Sequence, residues 1–248
     1  GIPLLIDNTM ATPFLCQPIQ YGADIVVHST TKFLSGHGNA MGGAIVDSGT
    51  FDWAQNDKYP SLAQPEDAYH GLNFYESFGD LAYTTYGHAV GLRDLGPTMA
   101  PMNAYLTIMG IETLALRMER HVANAGVVAN YLHNHAKVSW VSYAGLEESK
   151  YFHLAKKYLP KGAGSVFTFG IKGGYDAGVK FVEKCQLLSH LANIGDTRSL
   201  VLHPASTTHR QLTETQRISA GAGDDVIRLS IGLETVEDII ADLEQALR

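Results

Sequence analysis

A lysine placed directly after a buried apolar strand is set up for covalent chemistry. Lys32 has that setting: Asp24–His28 (D-I-V-V-H) reads as a strand, and Ser29-Thr30-Thr31-Lys32 leaves its end. Desolvation and nearby positive charge disfavour an ammonium, and the neutral amine is a nucleophile and a Schiff-base former. Ser29 and Thr31 stand three and one positions ahead of it. Two hydroxyls on a turn rich in backbone N–H groups suit a phosphate, although such a tetrapeptide alone is more often a surface turn. Asp7 changes those odds. It follows the apolar strand Ile2–Ile6, at the carboxyl edge where open α/β sheets place ligands. A carboxylate there can keep a pyridine nitrogen protonated, as an electron-sink cofactor requires. Asn8 and Thr9 behind it equally suit an Asx turn or a helix N-cap, and both readings can hold together.

The elements that must position these groups follow from short apolar runs and turn signals. Ile2–Ile6, Asp24–His28 and Gly42–Val46 read as strands, with Gln17–Gly22 a short helix or turn between the first two. Strands separated by brief helical or looped pieces make part of an α/β sheet. Residues 51–77 are rich in aromatics, prolines and polar groups and read as a long ordered loop, of the kind that is usually functional. Helices are expected over Phe78–Leu95, Met102–Met109 and, most clearly, Ile111–His135. In the last, Leu114, Met118, Val122, Ala125, Val128 and Leu132 recur at spacings of three and four. Strands at Val138–Tyr143, Ser165–Ile171 and Ser199–Leu202, a helix at Asp176–Leu188 and a last strand at Val226–Ile231 complete a smaller α+β unit. Thr213-x-x-Gln216 has capping-box form, and Thr235-x-x-Asp238 is a carboxylate variant that opens the final helix.

Composition narrows the function class. The 248 residues are 45% hydrophobic and 17% charged, enough for one large core or two modest ones. A formal charge of -7 argues against a general nucleic-acid or anionic-membrane binder. No run of eighteen apolar residues is present, so no membrane span is expected. Cys16 and Cys185 are too few for a disulfide framework, and a reduced cytoplasmic setting is expected. His203 and His209 straddle a proline loop at a spacing that fits no zinc site, so polar packing is the expectation there.

Several segments together carry a family resemblance. They are I-D-N-T at 6–9, H-S-T-T-K at 28–32, G-H-G at 36–38, G-G-A-I-V-D-S-G at 42–49 and Y-H-G-L at 69–72. L-R-M-E-R-H at 116–121, S-L-V-L-H-P-A-S-T-T-H at 199–209 and I-R-L-S-I-G-L-E at 227–234 complete them. In these motifs the chain resembles the Cys/Met-metabolism family of pyridoxal-phosphate enzymes over its full length. The resemblance implies an α/β fold of the aspartate-aminotransferase-like type (fold type I). Residues 1–110 would be the later part of the cofactor-binding large domain, and residues 111–248 the linker helix and small domain. It implies that Lys32 binds pyridoxal phosphate covalently, Asp7 pairs with the ring nitrogen, and Ser29 and Thr31 hydrogen-bond the phosphate. Arg228 would grip the substrate's α-carboxylate, with Ser199 beside that carboxylate.

The implied reaction is γ-replacement in methionine and cysteine metabolism, in which O-acetyl-L-homoserine and sulfide give L-homocysteine and acetate. Cystathionine formation, γ-elimination and use of an O-succinyl ester are the alternatives within the family. A phosphate brings roughly -1.5 to -2 of charge, more than Ser29 and Thr31 can neutralise. The resemblance assigns the balance to an N-terminal Gly-rich loop and to a Tyr and an Arg from a neighbouring subunit. The expectation is therefore the later part of a longer enzyme that works as a dimer-based homotetramer. The contrasting class is a non-catalytic subunit that needs an N-terminal partner to hold cofactor.

Overall fold

The computed structural model describes residues 1–248, and the chain is a mixed α/β protein built on two sheets. Strands β1 (Leu5–Asp7), β2 (Ile25–Ser29) and β3 (Gly43–Asp47) form the first, in the order β1-β2-β3. β1 runs parallel to β2, and β3 antiparallel to it. The register sets Asp7 opposite Val27 and Ser29 opposite Gly43. Asp7 and Ser29 thus reach the same carboxyl edge, and the Lys32 loop begins there. The observed strands lie within three residues of the expected ones. Helix α1 (Thr12–Leu15) and a 3-10 turn at Pro18–Tyr21 connect β1 to β2.

The segment read as one long loop holds α2 (Pro60–Ala63), a 3-10 turn at Asp67–Tyr69 and α3 (Phe74–Phe78). Trp53, Leu62 and Phe74 form a buried cluster with Ile25 of β2, and Trp53 stacks on Tyr83 with ring centroids 5.2 Å apart. Aromatic area rather than helical periodicity organises this stretch. The helix expected over Phe78–Leu95 is broken. α4 spans only Ala82–Tyr86 and passes into a π-helical stretch at Gly87–Asp94, because Gly79 turns the chain at φ 55°.

α5 (Pro101–Glu112) and α6 (Leu114–His133) lead to the second sheet. That sheet has the order β4-β5-β8-β7-β6, from β4 (Val138–Ser142), β5 (Val166–Ile171), β6 (Ser189–His190), β7 (Leu200–Leu202) and β8 (Val226–Ser230). α7 (Phe152–Tyr158), which has no strong sequence signal, lies between β4 and β5. α8 (Gly174–Lys184), α9 (Glu214–Ser219) and α10 (Val236–Leu247) complete the chain. The Thr213 capping box is formed, whereas the Thr235 side chain makes no cap bond.

The largest core packs one face of this second sheet against α6, α8 and α10 through Phe169, Phe181, Ile227, Leu229, Ile239 and Leu243. Each such side chain contributes about 1.5–3 kcal/mol by leaving water, so the sheet that carries Arg228 is firmly anchored. Leu114, Met118, Ala125, Val128 and Leu132 of α6 are buried as expected, with Val122 partly so.

Candidate active site

The Lys32 loop is closed by short-range bonds rather than by packing alone. Thr30 N donates to Gly42 O (3.0 Å), Ser35 N to Thr30 O (3.0 Å) and Gly36 N to Lys32 O (2.8 Å). Gly36 turns at φ 75°, where a side chain is strained, and a Cβ there would strike the Arg117 guanidinium. Thr31 Oγ1 accepts from Gly42 N at 3.1 Å and reaches Gly42 O only at 3.4 Å. Its oxygen is therefore fixed while its hydrogen is weakly held and free to turn to a better acceptor. Ser29 Oγ makes no bond within the chain, and the Ser29 amide donates to Thr9 Oγ1 at 2.7 Å. Thr9 also fixes Asp7. Its hydroxyl and its amide, the latter at 3.0 Å, bond the Asp7 carboxylate and hold it below the usual carboxylate range, helped by nearby His28.

A loop following β6 forms the other wall. Lys32 Nζ donates to Asn193 Oδ1 at 2.5 Å, and Arg228 Nη2 donates to the Asn193 carbonyl at 3.3 Å. One residue thus joins the amine to the guanidinium. Thr197 N donates to Gly36 O at 2.8 Å, so residues 193–197 are strapped along the Lys32 loop. Arg228 is half-buried on β8, and desolvation pulls its guanidinium below its ordinary value. Neither Lys32 nor Arg228 has a carboxylate partner, although five ion pairs form elsewhere. A desolvated guanidinium without an acid is a ready site for a ligand carboxylate.

The Ser199 side chain is bound within the chain immediately before β7, the strand that pairs with the Arg228 strand. Its hydroxyl donates to Glu234 Oε2 (2.8 Å) and accepts from Gly232 N (2.9 Å), while its amide donates to Glu234 Oε1 (2.6 Å). The hydroxyl's one hydrogen is held by Glu234, and the group fastens the turn after β8. Ser199→Ala is expected to lower stability by about 1–3 kcal/mol through the stranded Glu234 carboxylate, and to leave substrate KM within about twofold. Denaturant melts and steady-state kinetics check the two halves. Asn193 contacts Arg228 directly through its carbonyl. No sequence signal marks it, since an Asn next to Ile-Gly reads only as a turn residue.

Around this core lie groups with structural duties. His203 is buried between Ser206 Oγ and the Asp224 carbonyl, each at 2.9 Å. Burial pushes the Cys185 thiol up to about 12. His121 is wholly buried. Desolvation, with a smaller push from Arg117, brings its imidazole down to about 4 against the pull of the Ile231 carbonyl and Asp196. The folded chain holds it neutral, while the unfolded chain protonates it near 6.5. Its contribution is complete above that value and is lost as pH falls toward 4, amounting to about 2 kcal/mol by pH 5. Urea denaturation at pH 7 and pH 5 measures the loss, and His121→Gln is expected to flatten it.

Known proteins share this architecture. The family model described as Cys/Met metabolism PLP-dependent enzyme matches residues 1–248. An O-acetyl-L-homoserine sulfhydrylase of Leptospira meyeri is 50% identical over 257 residues, covering 100% of this chain and 58% of that relative. A homocysteine synthase of Schizosaccharomyces pombe is 51% identical over 249 residues, again covering 100% and 58%. A crystal structure named as an O-acetylhomoserine (thiol)-lyase of Campylobacter jejuni, with N'-pyridoxyl-lysine-5'-monophosphate, superposes with a TM-score of 0.94. It is 43% identical, with 99% of this chain and 59% of that one covered. The chain spans under two thirds of the length of these relatives. The α/β fold is theirs, and the chain belongs to the Cys/Met-metabolism family of pyridoxal-phosphate-dependent enzymes.

Proposed function

We propose that the chain carries the lysine and carboxylate-binding half of an enzyme that makes L-homocysteine and acetate from O-acetyl-L-homoserine and sulfide. The observation that carries this reading is the meeting of Lys32 and Arg228 on Asn193. An amine and an unpaired guanidinium joined through one residue can address the α-carbon and the α-carboxylate of the same amino acid. The names of the relatives at about half identity supply the γ-replacement and the acetyl ester.

The residues present fit pyridoxal phosphate. Ser29 Oγ is free to donate to a phosphate, Thr31 can redirect its hydrogen, and Asp7 is held anionic at the same strand edge. When bound, the cofactor supplies an electron sink that lets bonds at the substrate's carbons break and form. Asp7 keeps a cationic ring nitrogen in place. Lys32 binds the cofactor and, as an amine, moves the proton at the substrate's Cα as general base. Arg228 takes the α-carboxylate in its planar fork, and Asn193, displaced from that fork, steadies the Lys32 amine.

Further charge is needed for the phosphate, and we place it in residues outside this chain, including a neighbouring subunit of a dimer-based homotetramer. Residues 1–110 serve as part of the cofactor-binding domain and residues 111–248 as linker helix and small domain. A cytoplasmic location fits the two free cysteines and the fact that no helix is long and apolar enough to cross a membrane. The test is a product assay with O-acetyl- and O-succinyl-L-homoserine against sulfide and L-cysteine. Homocysteine formed from the acetyl ester and sulfide is expected. Cystathionine, or a 2-oxo acid formed by elimination, as the main product would overturn the assignment.

A further inference from the structure

Beside its apolar stripe, α6 carries a second buried row that apolar periodicity does not explain. Arg117, His121 and Asn124 are 5%, 0% and 2% exposed, and their spacings of four and three put them on one face. Each ends on main-chain carbonyls. Arg117 donates from Nη1 to Phe33 O (2.8 Å), and from Nη2 to Gly110 O (2.6 Å) and Leu34 O (3.4 Å). Its Nε donates to Thr113 Oγ1 at 3.1 Å. His121 Nδ1 meets Ile231 O at 2.6 Å. Asn124 Nδ2 donates to Gly232 O (3.0 Å) and Glu234 O (2.9 Å).

Apart from Gly110 and Thr113 at the α5–α6 junction, the acceptors fall into two groups. Phe33 and Leu34 directly follow Lys32, whereas Ile231, Gly232 and Glu234 directly follow the strand that carries Arg228. The row spans about 10 Å of helix, at a rise of 1.5 Å per residue. Arg117 has no carboxylate partner, and a buried cation held only by neutral carbonyls and a hydroxyl is costly to keep. An apolar side chain of the same volume would serve packing better, so stability does not account for the choice. Its seat is also tight. A Cβ on Gly36 would strike the guanidinium, and one on Gly110 would strike the Leu34 and Ser35 carbonyls.

We infer that Arg117, His121 and Asn124 are positioning residues that hold the Lys32 loop and the Arg228 strand at a fixed separation. One end of the row sets the amine, and the other sets the carboxylate grip. The inference rests on the roles given to Lys32 and Arg228 above. It predicts that damage at the two ends is different in kind, which a merely structural role would not produce.

The experiment compares Arg117→Lys, Arg117→Met and Asn124→Leu in the holoenzyme. Borohydride reduction measures the share of bound cofactor fixed on Lys32, and kinetics with the acylated homoserine give kcat and KM. Both Arg117 variants are expected to lose about fivefold in fixed cofactor and about tenfold in kcat, with KM within about twofold. Lysine keeps the charge but not the fork, so it should not rescue. Asn124→Leu should raise KM about fivefold and leave fixation at the wild-type level. Should Arg117→Met fail to fold, Arg117→Lys decides the same point. Equal effects at both ends that track loss of thermal stability would overturn the inference, as would unaltered fixation in Arg117→Lys. Failure of the wild-type protein itself to fix cofactor on Lys32 would instead overturn the functional reading beneath it.

Discussion

Lys32→Ala is expected to remove turnover, with a loss of about 10⁴-fold or more, since a positioned general base alone contributes about 10²–10⁴. In the proposed mechanism the residue has two tasks, holding the cofactor and carrying the Cα proton, and no other amine bonds into the site beside Asn193. Arg228 cannot substitute, because a guanidinium stays protonated and is turned toward the Asn193 carbonyl. Lys32→Arg should therefore be as inactive as the alanine variant. The fold should survive both changes. Lys32 forms no ion pair, and the loop is closed by the backbone bonds of Thr30, Ser35 and Gly36. Steady-state rates and unchanged thermal melts check this result.

Arg228→Gln is the second large effect. It removes a desolvated fork whose loss costs about 2–5 kcal/mol when a buried charged partner is left unpaired. The KM for the acylated homoserine should rise about 100-fold or more, since each 1.4 kcal/mol is worth about tenfold. Sulfide has no carboxylate, so its own KM should stay within about twofold. Arg228→Lys should recover only part of the loss, because an ammonium offers charge without paired donors. A parallel rise in both KM values would place Arg228 in general loop stability rather than in carboxylate recognition.

The chemistry-bearing residues differed in how legible they were. Lys32 and Asp7 could be singled out because residue type and strand-end position coincide, and β1 and β2 set Asp7 and the start of the Lys32 loop at one edge. Arg228 could be singled out from its motif, and the antiparallel pairing of β8 with β5 and β7 holds its backbone in place. Asn193 was hidden, because a loop amide has no period and its value comes from a contact 161 residues away. Ser199 could be singled out from its place in a motif, whereas its hydrogen-bond partner Glu234, 35 residues downstream, could not.

The polar row on α6 was masked by the helix's own pattern. In an amphipathic helix, polar positions are read as the solvent face, and only tertiary contacts reveal that Arg117, His121 and Asn124 point inward. The aromatic stretch at 51–78 failed for the opposite reason. Proline and glycine interrupt its periodicity, so rings such as Trp53 and Phe74 gave no helical signal before packing on Ile25.

The central claim is that Lys32 is the amine to which the cofactor attaches. Borohydride reduction of the holoenzyme, followed by proteolysis and mass analysis of the peptides, tests it most directly. The account predicts a phosphopyridoxyl group on the peptide bearing Lys32 and loss of the visible absorption band on reduction. A reduced cofactor found on any other lysine, or a protein that stays colourless with pyridoxal phosphate, would contradict it.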